Sequence, residues 1–378
     1  MRNTLFICLI ILSIGCSDKN SINTNQIFAI EIDESNINQE LDISNIFDSL
    51  RVTPLDYKTG FIGKIEGIEF FNNNYFIHDS SVDQILIFDL EGNYQNKIYA
   101  QGPGPEEYGT INFFDIDKSN NQIVIFDISM GALSYFDFTG KFLEKKHLKA
   151  ICRDFSITKS GNIICYSPDE IFENNDKIYQ PGIFLISKNG KIIDYQELGN
   201  TGFIPMLTGK SLIEYDEKNY LFSNYNDIIY EITDSEIETF VELKFKNNVK
   251  DEVFYNPDYN TENMMAPFLK VNPYKRQGHI GYTFLQKNEI RFIDINLQSK
   301  DYQIGKKLKK NNDFKFFNLN GVQVSDNEFI TILNDEILLQ YKAYLKSSDE
   351  LEQEFKELES LLLSNNKNPI LISGFFKK

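Results

Sequence analysis

The sequence lacks tryptophan altogether and contains only three histidines, His78, His147 and His279. Tryptophan offers the strongest aromatic face for a ligand ring, so its absence disfavours a flat glycan-binding platform, although tyrosine is abundant. Three scattered histidines, with no H-E-x-x-H motif and no cysteine pair at metal-binding spacing, argue against a histidine-rich metal centre. Neither a G-x-S-x-G motif nor a Cys–His pairing indicates nucleophilic catalysis. The sequence therefore predicts no catalytic residue.

Basic residues are also few relative to acidic ones. The chain has 38 Lys and Arg and 55 Asp and Glu, which gives a formal net charge of −17. Such a surface repels phosphate groups, which argues against nucleic acid and an anionic membrane surface as partners. No cofactor is indicated. The many Asp, Glu and Asn side chains leave a Ca²⁺ site open, since hard cations prefer oxygen ligands.

Phenylalanine and tyrosine, by contrast, are abundant, with 32 and 20 copies. Aromatic residues suit the pleated, half-buried surface of strands better than they suit helices. With 21 glycines and 10 prolines in 378 residues, the composition is far from that of low-complexity disorder. We therefore expect an all-β protein.

The first sixteen residues have the pattern of an export signal. Arg2 supplies a positive charge, residues 5–14 form an apolar run, and a polar segment follows Cys16. The apolar run is about half as long as the roughly 20 residues that a membrane-spanning helix needs, and no later segment is long enough either. The pattern predicts export without a transmembrane anchor.

The segment LSIGC, which ends at Cys16, resembles a bacterial lipobox. It departs from the commonest lipobox in having Ser13 where leucine is usual. The resemblance implies lipid attachment at Cys16, and a diacylated cysteine would hold a soluble domain at a membrane. Cleavage without lipidation is the alternative. Residues 1–16 are then the signal, 17–28 a polar tether and 29–378 the folded domain.

Two cysteines, Cys152 and Cys165, fall in the predicted folded domain. They flank a predicted hairpin turn at Ser160 and Gly161, so a cross-strand disulfide is one interpretation, given an oxidising compartment. Two buried thiols acting as small apolar residues are the other, and we favour them.

The central chain repeats itself at an interval of 48 residues. The residues that recur at this interval are Asp79, Phe88, Asp89 and Gly92, which return as Asp127, Phe136, Asp137 and Gly140. Each copy reads as a strand, a glycine turn and a strand, with the aspartates assigned to turn hydrogen bonds. Gly190 marks a third copy after an insertion near residues 168–181, and later strands continue the series. The span 60–345 holds about six such units, which predicts a six-bladed β-propeller.

The C-terminal region predicts one helix and one closing strand. Ser347 and Glu350 form a capping box, and apolar residues follow at helical spacing, so we expect an amphipathic helix over about residues 347–364. Residues 368–375 read as a strand. Because unpaired sheet edges invite aggregation, this strand or the one at residues 51–57 should pair across the first and last blades.

Residues 102–108, with the sequence GPGPEEY, carry a resemblance to a known family. The segment resembles the G-x-G-P-G-E-Y signature of the six-bladed β-propeller lipoproteins of Bacteroidetes, which are related to NHL-repeat propellers. The likeness covers about residues 30–378, and Glu106 departs from it where a third glycine is usual. It implies the propeller fold and export, and it implies no established reaction.

Candidate ligand-facing residues lie in this loop and on predicted inner strands. The loop glycines permit positive φ angles and its prolines fix φ, so a stiff loop would present Glu106, Glu107 and Tyr108. Alternatively the loop sets the angle between blades, with Tyr108 wedged between them. Asp115, together with Asp117, and the pair Arg153 and Asp154 would project from inner strands into the central channel, where burial could tune a carboxylate for acid–base work. Plain solvated channel-lining groups are the simpler interpretation.

These observations lead to two functional hypotheses. The first is a lipid-anchored propeller of the cell envelope, at the outer membrane, that binds a peptide, a glycan or an envelope protein without catalysis. Its contact with the membrane would be through the lipid alone. The alternative is a propeller lyase or lactonase with a carboxylate-bound metal in its central channel. The sequence does not identify the ligand or the exposed face of the membrane.

Overall fold

Twenty-eight strands and one short 3₁₀ turn form the secondary structure of the described residues. The computed structural model describes residues 28–56, 58, 60–148, 151–168, 170–174, 177–198, 210–224, 226–247, 268–287, 289–310, 317–333 and 368–378. The predicted signal, Cys16 and nearly all of the tether lie outside these residues, as does the predicted helix at 347–364. The described part contains no α-helix, and no helix in it is long and apolar enough to cross a membrane.

Six four-stranded units account for nearly all of the strands. Three strands near the N-terminus precede the first complete unit: β1 (Ala29–Ile32), β2 (Asn38–Asp42) and, after the 3₁₀ turn Ile43–Asn45, β3 (Phe47–Pro54). Blade 1 contains β4 (Ile65–Phe71), β5 (Asn74–Asp79), β6 (Gln84–Asp89) and β7 (Tyr94–Ile98). Blade 2 contains β8 (Phe113–Asp117), β9 (Gln122–Asp127), β10 (Ala132–Asp137) and β11 (Phe142–His147).

Blade 3 contains β12 (Asp154–Ile157), β13 (Ile163–Ser167), β16 (Gly182–Ile186) and β17 (Ile192–Glu197), with the inserted hairpin β14 (Phe172–Asn174) and β15 (Lys177–Tyr179). Blade 4 contains β18 (Leu212–Tyr215), β19 (Lys218–Phe222), β20 (Ile228–Ile232) and β21 (Ile237–Phe245). Blade 5 contains β22 (Phe268–Arg276), β23 (His279–Gln286), β24 (Glu289–Asn296) and β25 (Tyr302–Lys309). Blade 6 combines β26 (Val322–Ser325), β27 (Glu328–Leu333), β28 (Ile370–Phe376) and β3.

The blades form a closed ring. The first strands of consecutive blades contact each other in the cyclic order β4, β8, β12, β18, β22, β26 and back to β4, so they surround a central channel. The predicted six-bladed propeller is therefore confirmed, as is the predicted insertion in the third unit.

The N-terminal segment completes the outer edge of three blades. β1 adds to β21 of blade 4 and β2 adds to β25 of blade 5, both in parallel orientation. β3 then pairs antiparallel with β28, which itself pairs with β27. The ring is thus closed within blade 6, where a strand from near each terminus meets, and the predicted closing strand is confirmed.

One repeated aspartate and the repeated glycine mark the turn between the third and fourth strands of blades 1 and 2, whereas Asp79 and Asp127 end the second strands. Oδ1 of Asp89 accepts hydrogen bonds from the backbone N–H groups of Glu91 and Asn93, at 3.1 and 2.8 Å. Asp137 repeats this arrangement in blade 2. Gly92 and Gly140 have φ angles of 83° and 87°, a region that glycine adopts without the steric cost of a side chain. The 48-residue interval is therefore the blade period.

Most of the aromatic surplus is buried between blades. Six clusters of buried apolar residues fill the six blade-to-blade interfaces, one at each. Between blades 2 and 3, for example, the rings of Phe126 and Phe155 pack with centroids 5.7 Å apart. These interfaces hold the blades together in the absence of any single central core.

The connections differ strongly between the two ends of the ring. We call one end of the ring the upper end. There the fourth strand of each blade connects to the next blade, and the second strand connects to the third. Five links of twelve or more residues leave from this end: residues 99–112, 198–211, 246–267, 310–321 and 334–369. The turns at the opposite, lower end contain two to five residues. Long links are where binding residues are most often found, so the upper end is the first place to look for a site.

Cys152 and Cys165 form a disulfide, which corrects our preference for two buried thiols. The bond joins the segment before β12 to β13, and their Cα atoms are 5.4 Å apart. The hairpin between these strands turns at Ser160 and Gly161, as predicted. The register of the hairpin pairs Cys165 with Phe155, and the segment just before β12 brings Cys152 within bonding distance of Cys165.

Replacing both cysteines by alanine is expected to lower the free energy of unfolding by about 3 kcal/mol, because the bond closes a short loop in the unfolded chain. Urea denaturation followed by circular dichroism measures the effect. Reducing agent should reproduce the loss in the native protein and leave the double variant unchanged. A native protein whose unfolding is insensitive to reductant would contradict this expectation.

Candidate functional site

A cavity of about 670 Å³ lies in the central channel at the upper end. We call it the upper cavity. One side of its wall is largely apolar and includes Ile111, Phe113 and Phe114 at the start of blade 2. Asn224, Asn272 and Asn320, from blades 4, 5 and 6, contribute amide groups.

A second, smaller cavity of about 290 Å³ lies in the channel toward the lower end. We call it the lower cavity. Its lining is mainly polar and charged, and the ion pair between Lys118 and Glu214 crosses it from blade 2 to blade 4 with 2.6 Å between Nζ and Oε2. Glu69 and Lys210 line both cavities, so these two side chains lie where the cavities meet.

Glu69 and Lys210 form an ion pair across the channel, which we call the waist. Glu69 is on the first strand of blade 1 and Lys210 directly precedes the first strand of blade 4, the opposite blade of the ring. Their side chains are 14% and 23% exposed. The pair thus narrows the channel between the upper and lower cavities.

Burial makes the waist electrostatically unusual. It raises the pKa of Glu69 to about 7, against the opposing effect of Lys210. The pKa of Asp154 is raised to about 6, again by burial and again opposed by Lys210. Burial disfavours the charged form of Lys210, but Glu69 and Asp115 outweigh it and hold the Lys210 pKa above its usual value. Lys210 is therefore the cation that these carboxylates share.

Asp115 and Asp154 also connect neighbouring blades. Oδ2 of Asp115, in blade 2, accepts hydrogen bonds from the Ile157 N–H and the Ser156 hydroxyl of blade 3, both at 2.7 Å. Oδ2 of Asp154, in blade 3, accepts from the N–H groups of Ser211 and Leu212 at the start of blade 4, at 2.5 and 2.8 Å. Each carboxylate therefore satisfies backbone donors of the next blade, which is a structural task.

Three of the six candidate residues lie in the channel. Asp154 and the exposed Arg153 line the upper cavity, and Asp115 lines the lower one. Asp117, at the end of β8, instead accepts hydrogen bonds from Ser119 and Asn120 in a lower-end turn. Asp117 is therefore not a channel residue, and Asp115 and Asp154, which do line the channel, are occupied by inter-blade hydrogen bonds.

The GPGPEEY loop does not contribute its acidic residues to either cavity. Glu106 is exposed, and Oε2 of Glu107 turns back to accept a hydrogen bond from the Gly104 N–H at 2.7 Å. Neither loop glycine has a positive φ angle, contrary to our expectation. A Cβ atom on Gly104 would lie 2.8 Å from that same oxygen, so a side chain at this position would displace the Glu107 carboxylate.

Tyr108 is wedged between blades 1 and 2, as the structural alternative predicted. Its side chain is fully buried among residues of both blades, and its hydroxyl donates to the Asp83 carbonyl at 2.7 Å. Tyr108→Ala is expected to cost about 3–5 kcal/mol of unfolding free energy, the usual range for a fully buried aromatic residue. Tyr99→Ala, in the same connection but 56% exposed, is the matched control and should cost far less. Thermal denaturation of both variants measures the difference, and equal effects would contradict the wedge.

Sequence reasoning missed Glu69, Lys210 and Asn272. Asn272 has a φ angle of 53° in the middle of β22, where the register with β23 shifts between Val271 and Tyr274. Such bulges redirect side chains and are common beside functional sites. The dipeptide Asn272-Pro273 inside an apolar strand was the available signal, because proline interrupts a strand ladder.

No group of three or more His, Cys, Asp or Glu side chains in the described part of the chain is arranged to hold a metal ion. At the waist, the carboxylates of Glu69, Asp115 and Asp154 instead interact with the Lys210 ammonium group. The hydrogen-bond donors named above satisfy Asp115 and Asp154 further. The chemistry that this arrangement supports directly is the binding of a polar or charged group at the cavity floor.

Comparison with known proteins places this geometry in a family. No protein with a curated description matches the sequence. A candidate exported protein of Bacteroides fragilis NCTC 9343 matches at a TM-score of 0.71 and 17% identity, over 93% of this chain and 100% of that one, which shows a shared fold.

Two further structures are more distant, and their low TM-scores carry no argument about function. A member of the DUF4221 family from Bacteroides vulgatus matches at 12% identity and a TM-score of 0.45, over 88% of this chain and 97% of that one. Virginiamycin B lyase from Staphylococcus aureus matches at 15% identity and a TM-score of 0.40, over 70% of this chain and 76% of that one.

A family model described as "Domain of unknown function (DUF4934)" matches residues 27–374, from just before β1 into β28. Because that match spans most of the sequence, this six-bladed propeller belongs to the DUF4934 family.

Proposed function

We propose that the protein is an exported binding module of the cell envelope whose ligand occupies the upper cavity. The cavity itself carries this proposal. Its volume of about 670 Å³ falls within the range of small-molecule sites, and its wall combines apolar side chains with a few convergent polar groups. A peptide, a glycan or an exposed segment of an envelope protein would fit such a site.

Export and lipid attachment at Cys16 are part of this proposal. The disulfide supports an oxidising compartment, since such bonds persist outside the cytosol. The B. fragilis relative, described as a candidate exported protein, supports the same location. Cys16→Ser is expected to move the protein from the outer-membrane fraction to a soluble or precursor form, and mass spectrometry of the native N-terminus should find a diacylated cysteine.

Filling the upper cavity tests the binding function. Asn320 is exposed on the cavity wall, so Asn320→Trp would occupy the space without disturbing a core residue. A panel of di- and tripeptides, oligosaccharides and monosaccharides is screened by thermal shift. At least one compound should raise the melting temperature of the native protein by several degrees and leave that of Asn320→Trp unchanged.

Asn36→Trp is the matched control, because Asn36 is exposed between β1 and β2 on the outer edge of the ring. This variant should respond to the ligand as the native protein does. If no compound stabilises the native protein, or if both tryptophan variants respond equally, the upper cavity is not the binding site. The metal-dependent lyase remains a prediction, which elemental analysis of protein purified without chelator would test.

A further inference from the structure

We propose that the ligand of the upper cavity is a short peptide that carries basic side chains. This inference rests on the proposed binding function and assigns a chemical class to its ligand. Three features carry it: the charge of the channel, the apolar wall of the upper cavity and the amides opposite that wall.

The upper cavity has an excess of negative charge. Among the described residues, its acidic lining consists of Glu66, Glu69, Asp83 and Asp154, whereas its cations are Arg153 and Lys210. The Lys210 charge is directed to the waist, where it pairs with Glu69 and is shared with Asp115 and Asp154. His78 also lines the cavity, and burial lowers its pKa, so it supplies no compensating cation at neutral pH.

The lower cavity extends the same field along the channel. It adds Asp115, Glu214, Glu217 and Asp326 to the lining of the described channel, and only one further cation, Lys118. Eight acidic and three basic side chains thus line the two cavities within the described residues. Ion pairs with Lys64 and Lys159, which lie outside the lining, compensate Glu66 and Glu217, so the excess rests on four aspartates: Asp83, Asp115, Asp154 and Asp326. A channel with low-dielectric walls and an excess of one sign of charge concentrates its field at the opening. That field attracts cations and repels anions from the upper cavity.

The wall of the upper cavity on the blade 2 side is apolar. Ile111, Phe113, Phe114 and Ile128 all line it. Aliphatic side chains of a ligand would pack on this surface, which offers less to the hydroxyl groups of a sugar.

Amide groups on the other side of the cavity match peptide bonds. Asn224, Asn272 and Asn320 each offer a donor and an acceptor, as a peptide group does. Oδ1 of Asn224 is buried and has no hydrogen-bond partner in the described structure. An unsatisfied buried acceptor is costly, so a ligand N–H donor at this wall would be favoured. Negative field, aliphatic contacts and amides together select a basic peptide.

Three blocked tripeptides test the charge requirement directly. N-acetylated, C-amidated Lys-Phe-Lys, Gln-Phe-Gln and Glu-Phe-Glu differ only in side-chain charge, and maltotriose serves as a neutral sugar. Isothermal titration with the full mature protein is expected to give at least tenfold tighter binding of Lys-Phe-Lys than of Gln-Phe-Gln, and no binding of Glu-Phe-Glu. Raising NaCl from 25 to 200 mM should weaken Lys-Phe-Lys binding and leave Gln-Phe-Gln unaffected.

A variant at the cavity mouth locates the effect. Glu66 is exposed there, and Glu66→Gln is expected to weaken Lys-Phe-Lys binding three- to tenfold without changing Gln-Phe-Gln binding. Glu91→Gln, in a lower-end turn of the same blade, is the matched control and should change neither. Equal affinity for the lysine and glutamine peptides, or tighter binding of maltotriose, overturns the basic-peptide inference while leaving a binding function in place. Binding of Lys-Phe-Lys that Asn320→Trp does not weaken overturns both.

Discussion

Ile372→Pro is expected to lower the free energy of unfolding by about 5 kcal/mol or more, enough to leave most of the chain unfolded at 37 °C. Ile372 lies in β28, paired with Val52 of β3 on one side and Thr331 of β27 on the other. Proline cannot donate a hydrogen bond to this ladder, and the substitution also removes a buried side chain from the core. Because β28 and β3 close the ring, the damage should spread beyond blade 6.

Chemical denaturation followed by far-ultraviolet circular dichroism measures this effect. Lys378→Pro, beyond the end of β28 and exposed, is the matched control and should stay within about 0.5 kcal/mol of the native protein. A cooperative transition of Ile372→Pro at the native midpoint would mean that the pairing of β3 with β28 does not hold the ring closed.

Lys210→Met is expected to destabilise the protein by about 3–5 kcal/mol at pH 8, because it leaves buried carboxylates without their shared cation. The loss should be much smaller at pH 5. The Glu69 pKa is about 7 in the folded protein and its ordinary value is 4.5, so the folded state holds this proton more tightly than the unfolded chain does. The contribution of Glu69 to the free energy of unfolding is therefore present at low pH, and it is lost as pH rises from about 4.5 to 7. Removing Lys210 raises the Glu69 pKa further, so the variant loses more unfolding free energy than the native protein does as pH rises.

Unfolding free energies of the native protein and the variants at pH 5 and pH 8 provide the measurement. The double variant Glu69→Gln, Lys210→Met should recover part of the stability lost at pH 8, since the uncompensated charge is gone. Lys118→Met is the matched control: its ion pair with Glu214 is more than a third exposed on both sides and is worth about 1 kcal/mol at most. A loss in Lys210→Met that is the same at both pH values would rule out the waist as a titrating pair.

The blade architecture could be predicted from the sequence because it depends on local turns. Asp89 and Gly92 recur 48 residues later since each blade needs the same hydrogen-bonded turn between its third and fourth strands. The closing strand was predictable for a similar reason, because an apolar run near the C-terminus must pair with a sheet edge. The turn residues and the apolar run are each contained in a short stretch of sequence.

The waist could not be predicted, because its partners are remote in the chain. Glu69 and Lys210 are 141 residues apart and meet only because blades 1 and 4 face each other across the ring. No sequence pattern near Glu69 or Lys210 indicates that contact. The GPGPEEY loop misled in the opposite way, since its distinctive composition reflects the folding of Glu107 onto Gly104 and the wedge of Tyr108 rather than ligand chemistry.

The parallel addition of β1 to blade 4 has a consequence for how the molecule stands on a membrane. The fourth strand of a blade runs toward the upper end, and β1 runs with it, so Phe28 enters the ring from the lower end. If Cys16 carries lipid as proposed, the twelve residues from there to Phe28 reach at most about 43 Å, which keeps that end near the bilayer. The upper cavity would then open away from the lipid, toward whatever arrives by diffusion from the facing compartment.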